Sequence, residues 1–270
     1  MLRGGRTLFS LINTMKVYSI FALLLTASLG SVAANEEASL SRLSLLTGAD
    51  MSPYVFEKPD GSFSGINVEI IREIFKRMNL DFNIHVAPRK RVARLLQTGN
   101  FDGALSTLEV EDDFSDGVWL SDEMYIGNFS LISWDSTPLH SENLDMMSKF
   151  SILASTGRWQ NSVCLKPLVL LESELQMVRL LKLKRIDGVL AEEISFFNYA
   201  RENDIFDEIK ISERMLERKV KFVLSKQSPH LKLFEEQFNK HLNQLLEEGF
   251  IDKLFVKFLN VKAQTPKQEK

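Results

Sequence analysis

Disulfides, metal clusters and a nucleic-acid surface are all missing from this sequence. Its 270 residues hold one cysteine, Cys164, so no internal disulfide can form and the fold must rest on its core. A lone cysteine of this kind reads as a small buried apolar residue rather than a reactive thiol. The four histidines, His85, His140, His230 and His241, lie far apart and show none of the spacings that gather metal ligands. No metal and no cofactor is therefore expected. A formal net charge of −3 excludes the broad cationic face that nucleic acid requires. The apolar fraction of 44% and the charged fraction of 26% are those of an ordinary folded protein.

What the N-terminus does contain fixes the expected compartment. Arg3, Arg6 and Lys16 are basic, and no acid occurs before Glu36. An apolar run from Val17 to Ala27 follows, too short to span a bilayer, and small residues lead to Val32-Ala33-Ala34. Basic, apolar and small segments in that order make a secretory signal peptide over residues 1–34, with cleavage after Ala34. Residues 15–34 form a complete signal by themselves, so Met15 is an alternative start. Removing three basic residues and no acid takes the formal charge from −3 to −6. No later apolar run is long enough to cross a membrane, so a soluble, monomeric, periplasmic protein is expected.

Along the remaining chain, Leu43-Ser-Leu-Leu-Thr reads as a strand and the stretch from Asn67 as a helix with Ile71, Ile74, Phe75 and Met78 inward. Asp81 to Val86 alternates as a strand, and Arg91 to Gln97 is helical with Val92, Leu95 and Leu96 inward. Asp102-Gly-Ala-Leu-Ser is a short buried strand. The pattern returns with a strand at Phe150 to Ala154, a helix at Ser173 to Leu183 and a strand at Ile186 to Ala191. Phe101-Asp-Gly-Ala-Leu and Ile186-Asp-Gly-Val-Leu are nearly one phrase used twice, which predicts two similar α/β lobes. Val220-Lys-Phe-Val-Leu reads as a strand. A long amphipathic helix follows Pro229 with Leu233, Phe234, Phe238, Leu242 and Leu245 on one stripe, and a last helix follows Gly249.

Several of these phrases, in order, resemble the family 3 extracellular solute-binding proteins, the periplasmic amino-acid-binding group. They are Ser52-Pro-Tyr-Val-Phe, Gly61-Ser-Phe-Ser-Gly-Ile-Asn-Val-Glu-Ile-Ile, Leu95-Leu-Gln-Thr-Gly-Asn-Phe-Asp-Gly-Ala, Leu120-Ser-Asp-Glu-Met-Tyr and Arg185-Ile-Asp-Gly-Val-Leu-Ala-Glu. The resemblance implies a two-lobed fold of the type II periplasmic-binding-protein class, each lobe a sheet flanked by helices, joined by a two-strand hinge. It places lobe 1 at residues 35–134 plus 217–262 and lobe 2 at 135–216, with hinge strands near 133–137 and 212–218 and a disordered tail at 263–270. A polar solute would be held in the cleft by convergent hydrogen bonds and enclosed by hinge closure.

The resemblance also points to contacts. Asp50, Met51 and Tyr54 match the wall near the first turn. Ser155-Thr156-Gly157 matches the lobe 2 loop that offers hydroxyl and backbone N–H groups. Arg158 and Trp159 lie just past it, where a helix N-terminus could hold an anion or Trp159 could be a packing anchor. Glu192 matches the acid that meets a ligand ammonium. In amino-acid binders an arginine clamps the ligand carboxylate, a task suited to its planar fork. Counted without gaps, that arginine falls on Phe114, and Glu109 and Glu111 fall where hydroxyls are expected. Arg91 and Arg158 are the cations able to replace the clamp. Acids without a fixed cation favour an amine-bearing ligand over one held by a lone carboxylate.

The expected function is solute capture for an ABC-type importer, with a membrane permease or receptor as partner. Two alternatives share the scaffold: a soluble sensor partner of a membrane receptor, and a periplasmic dehydratase-like enzyme. The second needs a positioned acid or base, and beside Glu109 and Glu111 no His, Ser or Cys partner is evident, so no catalysis is expected. A lytic transglycosylase module would require a further catalytic domain for which the 270 residues leave no room.

Overall fold

Adjacent leucines at the start of the first strand face opposite ways, and that requires helices on both sides of its sheet. The computed structural model describes residues 42–48, 51–105, 117–136, 138–142, 150–153, 169–171 and 173–259. Strand β1 (Arg42–Gly48) buries Leu43 and Leu45 in one core and Leu46 in another. The first core is closed by helices α1 (Ile66–Arg77), α5 (Leu231–Glu247) and α6 (Phe250–Leu259). The second is closed by α2 (Arg89–Gln97) through Val92 and Leu96. The sheet between them runs β4 (Asp81–Ala87), β1, β5 (Gly103–Ala104), β12 (Val223–Ser225) and β6 (Val118–Leu120). Its pairing of β1 with β5 is parallel, and β12 is antiparallel to both β5 and β6.

A second sheet is built on the same plan. Strand β10 (Gly188–Glu192) pairs parallel with β8 (Phe150–Leu153), and β8 pairs parallel with β9 (Val169–Leu171). On its other side β10 is antiparallel to β7 (Tyr125–Trp134), which is antiparallel to β11 (Ile209–Val220). Helices α3 (Glu174–Lys182) and α4 (Glu193–Glu202) supply Met177, Val178, Leu181, Phe196 and Tyr199 to the core against Val189 and Ile132. Each repeated Asp-Gly phrase thus becomes a strand with one parallel and one antiparallel neighbour. The glycine is demanded both times by close approach. A Cβ on Gly103 would sit 2.5 Å from the Val223 carbonyl oxygen, and one on Gly188 would sit 2.7 Å from that of Ile132 and 2.1 Å from Leu139 Cδ1.

The β7–β11 ribbon joins the two sheets. Tyr125 and Val220, paired at one end, pack in the core of the first sheet, while Ile132 and Ile209 pack in that of the second. Register shifts between Ile211 and Glu213 and between Arg214 and Leu216 bend β11 on the way. Two helix-flanked sheets joined by two strands are the two-lobed architecture expected. Strand β7 lies mostly before the expected crossing at 133–137, of which Thr137 is outside the described residues, and β11 includes residues 212–218. One strand reading is corrected: Val220 to Leu224 is not continuous. Phe222 exchanges hydrogen bonds with Ser121 (2.9 and 3.0 Å) and buries its ring among Phe75, Phe234 and Phe238, so the chain leaves one sheet at Val220 and enters the other at Val223. A small ribbon of β2 (Phe56–Glu57) and β3 (Phe63–Ser64) precedes α1.

Candidate functional site

Where the lobes meet, the turn after β1 faces the start of α4. The Tyr54 and Val55 N–H groups both donate to the Met51 carbonyl oxygen, at 2.8 and 3.0 Å, which closes the turn. Pro53 and Tyr54 then offer their carbonyl oxygens to the first N–H groups of α1, those of Ile66 and Asn67. Gly65 makes that junction possible. Its φ of +126° is a backbone conformation that glycine adopts freely, and a Cβ there would lie 2.3 Å from the Tyr54 carbonyl oxygen. Met51 is buried, with Thr47 Oγ1 3.6 Å from its sulfur.

Tyr54 is buried and stacks on Tyr125, with ring centroids 5.6 Å apart and planes 9° from parallel. Tyr125 donates its hydroxyl to Asn67 Oδ1 at 2.7 Å. Tyr54 donates across the junction to Glu192 Oε1 at 3.0 Å. Glu192 ends β10 and caps α4: its Oε2 accepts the Ser195 backbone N–H at 2.7 Å, satisfying one of the open donors of a helix N-terminus. The Ser195 hydroxyl donates to the Ser52 carbonyl oxygen (2.8 Å) and Asn198 Nδ2 to the Ser52 hydroxyl (3.2 Å), so one face of α4 is fastened to the turn of the other lobe.

The electrostatics of this junction are acidic. Glu192 is only 2% exposed. Burial pushes its carboxyl up to about 7, helped by the neighbouring acid Glu174 and opposed by the bonds from Ser195, Tyr54 and the Ile194 N–H. Burial likewise raises the Tyr54 hydroxyl well above its usual range, helped by Glu192, by Tyr125 and by Glu174, which is buried at the start of α3. The next residue, Glu193, faces the hinge ribbon: its carboxylate accepts from the Ser130 hydroxyl (2.5 Å) and from Arg214 Nε (2.9 Å).

Of the residues singled out in the sequence, the structure brings Tyr54 and Glu192 together and sets Met51 in the same turn. Tyr54 is a buried side chain with its hydroxyl at the junction, and Glu192 is a buried cap of α4. Arg91 is exposed in the first turn of α2, and among the described residues no hydrogen bond or ion pair joins it to Tyr54 or Glu192. Asp50, Glu109, Glu111, Thr156, Arg158 and Trp159 lie outside the described residues, as do Phe114, Cys164 and the signal segment. Asn67, Tyr125, Glu174, Ser195 and Asn198 went unread. Ser195 carried a signal, since an acid three residues before it at a strand's end is an N-cap pattern. Among the described residues no group of three or more His, Cys, Asp or Glu is placed to hold a metal ion, and no helix is long and apolar enough to cross a membrane.

Comparison with known proteins agrees with the two-lobed fold. No curated protein matches the sequence. Among solved structures, a protein of the glutathione import system of Streptococcus mutans, which involves GshT and the cystine ABC importer TcyBC, is similar with a TM-score of 0.69 at 18% identity, covering 84% of this chain and 98% of its own. The arginine-, lysine-, histidine-binding protein ArtJ of Geobacillus stearothermophilus is similar with a TM-score of 0.67 at 16% identity, covering 84% and 97%. A histidine kinase sensor domain similar to periplasmic binding proteins gives 0.68 at 17% identity, covering 83% and 98%. At these identities the likeness is one of fold. The sequence itself matches the model of the bacterial extracellular solute-binding proteins, family 3, over residues 43–261, and the chain belongs to that family.

Proposed function

We propose that this is a periplasmic solute-binding protein that captures a small polar, amine-bearing molecule between its lobes and delivers it to an ABC-type importer. The observation that carries the reading is the pair of buried acids, Glu192 and Glu174, at the junction where the Tyr54 turn of one lobe meets the α4 start of the other. Acids in a poorly solvated junction favour a cation and repel a carboxylate. Solved structures of the same fold include binders of arginine, lysine and histidine and a receptor for L-cystine, all of which carry amines. Export through the signal at residues 1–34 is part of the proposal, as is the division into lobes at 35–134 plus 217–262 and 135–216. Met51, Tyr54 and Glu192 are proposed as one wall of the cleft. Asp50, Glu109, Glu111, Thr156, Arg158 and Trp159 are proposed as the remaining contacts, and Arg91 as a cation at the rim. Catalysis is not proposed, because both Glu192 oxygens are engaged in capping α4 and bracing the junction.

The test is a thermal-shift screen of residues 35–270 against L-arginine, putrescine, sucrose and citrate. A cationic amine at a hundred times its Kd should stabilise the protein by about 2.7 kcal/mol. Stabilisation by sucrose or citrate alone would refute the charge argument. Delivery to an importer is tested by reconstitution with the candidate permease, and a receptor kinase that responds instead would favour sensing. That second reading has its own support in the sensor domain of like fold.

A further inference from the structure

We propose that Glu192 is a proton-operated latch between the lobes: protonated, it stays buried and holds Tyr54 of the first lobe; ionised, it drives the junction open to water. The proposal goes beyond solute capture. It rests on the two-lobed hinge reading and needs no knowledge of the ligand.

The geometry is that of a group shared by two bodies. The Glu192 carboxyl belongs to the second lobe through the peptide chain and the Ser195 cap, and to the first through the Tyr54 hydroxyl at 3.0 Å. Around it stand the hinge ribbon, where a Cβ on Gly127 would be 3.7 Å from Oε1, and the Ser52–Ser195 and Ser52–Asn198 bonds. The titratable groups that act on it are Tyr54 from the first turn, Tyr125 from β7 and Glu174 from α3. Its neighbour Glu193 is turned to Ser130 and Arg214. Among the described residues the charged side chain with the strongest effect on Glu192 is another acid, Glu174.

A buried carboxylate is costly, and burial here outweighs the two hydrogen bonds, donated by Tyr54 and Ser195, that favour the ionised form. Separating the lobes would break the Tyr54 bond and let water reach the oxygens. The open form is thus favoured by ionisation and the closed form by protonation, with a turning point near neutrality, where the buried carboxyl titrates at about 7. If the open form restores an ordinary carboxyl, the open-to-closed ratio should rise on the order of a hundredfold from pH 5 to pH 8.

Spin labels on Lys58→Cys in the first lobe and Leu183→Cys in the second, both exposed, read the inter-lobe distance once Cys164 is replaced by serine. Measured by double electron–electron resonance from pH 5 to pH 9, the ligand-free protein should shift from a short to a long distance population through neutrality. Glu192→Gln should keep the short population at every pH. Tyr54→Phe, which keeps the ring and deletes the donor, should show the long population already at pH 5. A wild-type distribution independent of pH, or a Glu192→Gln variant that titrates like wild type, overturns the latch. If the distance ignores pH and L-arginine still shortens it, the latch fails and the binding reading stands. If it follows pH and the Gln and Phe variants behave as described while every solute leaves it unchanged, the latch stands and solute capture fails.

Discussion

The two Asp-Gly strands occupy equivalent places in their sheets, yet the acids attached to them do opposite things. In the first lobe Asp102 works inside its own lobe: its carboxylate accepts from the Ser44 N–H at 2.8 Å and the Ser228 hydroxyl at 2.7 Å, tying β5 to β1 and to the approach of α5. In the second lobe β10 runs on to Glu192, whose carboxyl reaches Tyr54 in the other lobe. The repeated phrase specifies a sheet, and the residues beyond it specify what the lobe meets. The cores differ in kind as well. Phe75, Phe222, Phe234 and Phe238 stack or meet edge-on in the first, with Trp119 against them, while the described part of the second is largely aliphatic around Phe196 and Tyr199.

The strongest way to break the comparison is to empty each core in turn. Phe238→Ala should cost about 4 kcal/mol and Leu181→Ala about 3 kcal/mol, each from lost burial plus a cavity. Urea unfolding followed at Trp119 and at Trp134 separates the lobes, since Trp119 packs on the first core and Trp134 on the second. Coincident transitions in both variants would mean the lobes unfold as one unit despite their different cores.

Next comes the pH dependence that only the second lobe's acid should produce. Glu192 in the folded protein titrates at about 7 against an ordinary value of 4.5, so it binds more protons folded than unfolded between those limits. Its contribution is fully present below pH 4.5, is lost as pH rises to about 7 and is flat above. The unfolding free energy of wild type relative to Glu192→Gln should therefore fall by about 3 kcal/mol across that window. A constant difference between the two proteins from pH 4.5 to pH 8 would contradict a setting in which burial outweighs the hydrogen bonds from Tyr54 and Ser195.

The paired glycines sharpen the comparison at smaller scale. Gly103→Ala meets the Val223 carbonyl oxygen, which is backbone, and should cost about 2 kcal/mol or more. Gly188→Ala meets first the end of the Leu139 side chain, so combining it with Leu139→Ala should cost about 1 kcal/mol less than the sum of the single changes. Strict additivity in denaturant melts would show that the Ile132 carbonyl, not Leu139, is the obstacle.

Much of this was legible before any coordinates. Helical stripes such as Ile71, Ile74 and Phe75, and Phe234, Phe238 and Leu242, repeat strongly enough to be read, and the doubled Asp-Gly phrase revealed the two lobes. β11 was visible only as a crossing near 212–218, because Ile209–Val220 is charged and half-exposed, and its two register shifts destroy strict alternation. Helix α4 was hidden because it begins at Glu193, immediately after a buried strand, with no glycine or proline between. At the site, Tyr54 and Glu192 could be named singly from the resemblance. Their hydrogen bond could not, since it joins residues far apart in sequence and depends on how the lobes approach.

The smallest effect distinguishes two acids one residue apart. Glu192 faces the interior and bonds to an uncharged phenol and an amide, whereas Glu193 pairs with Arg214, whose side chain is 59% exposed. A pair with one solvated partner is screened by salt and contributes little, so Arg214→Gln should cost no more than about 1 kcal/mol at low ionic strength. The Ser130 hydroxyl continues to satisfy Glu193 Oε1 in that variant, which prevents the larger loss that follows when a buried charge is stripped of every partner. In 1 M sodium chloride the difference between Arg214→Gln and wild type should shrink toward zero, while the difference between Glu192→Gln and wild type at pH 5 persists, because the protonated, buried carboxyl offers mobile ions no charge to screen. Equal salt sensitivity of the two variants would mean that Glu192 is open to solvent and that the lobe junction is not the dry, acid-lined contact described above.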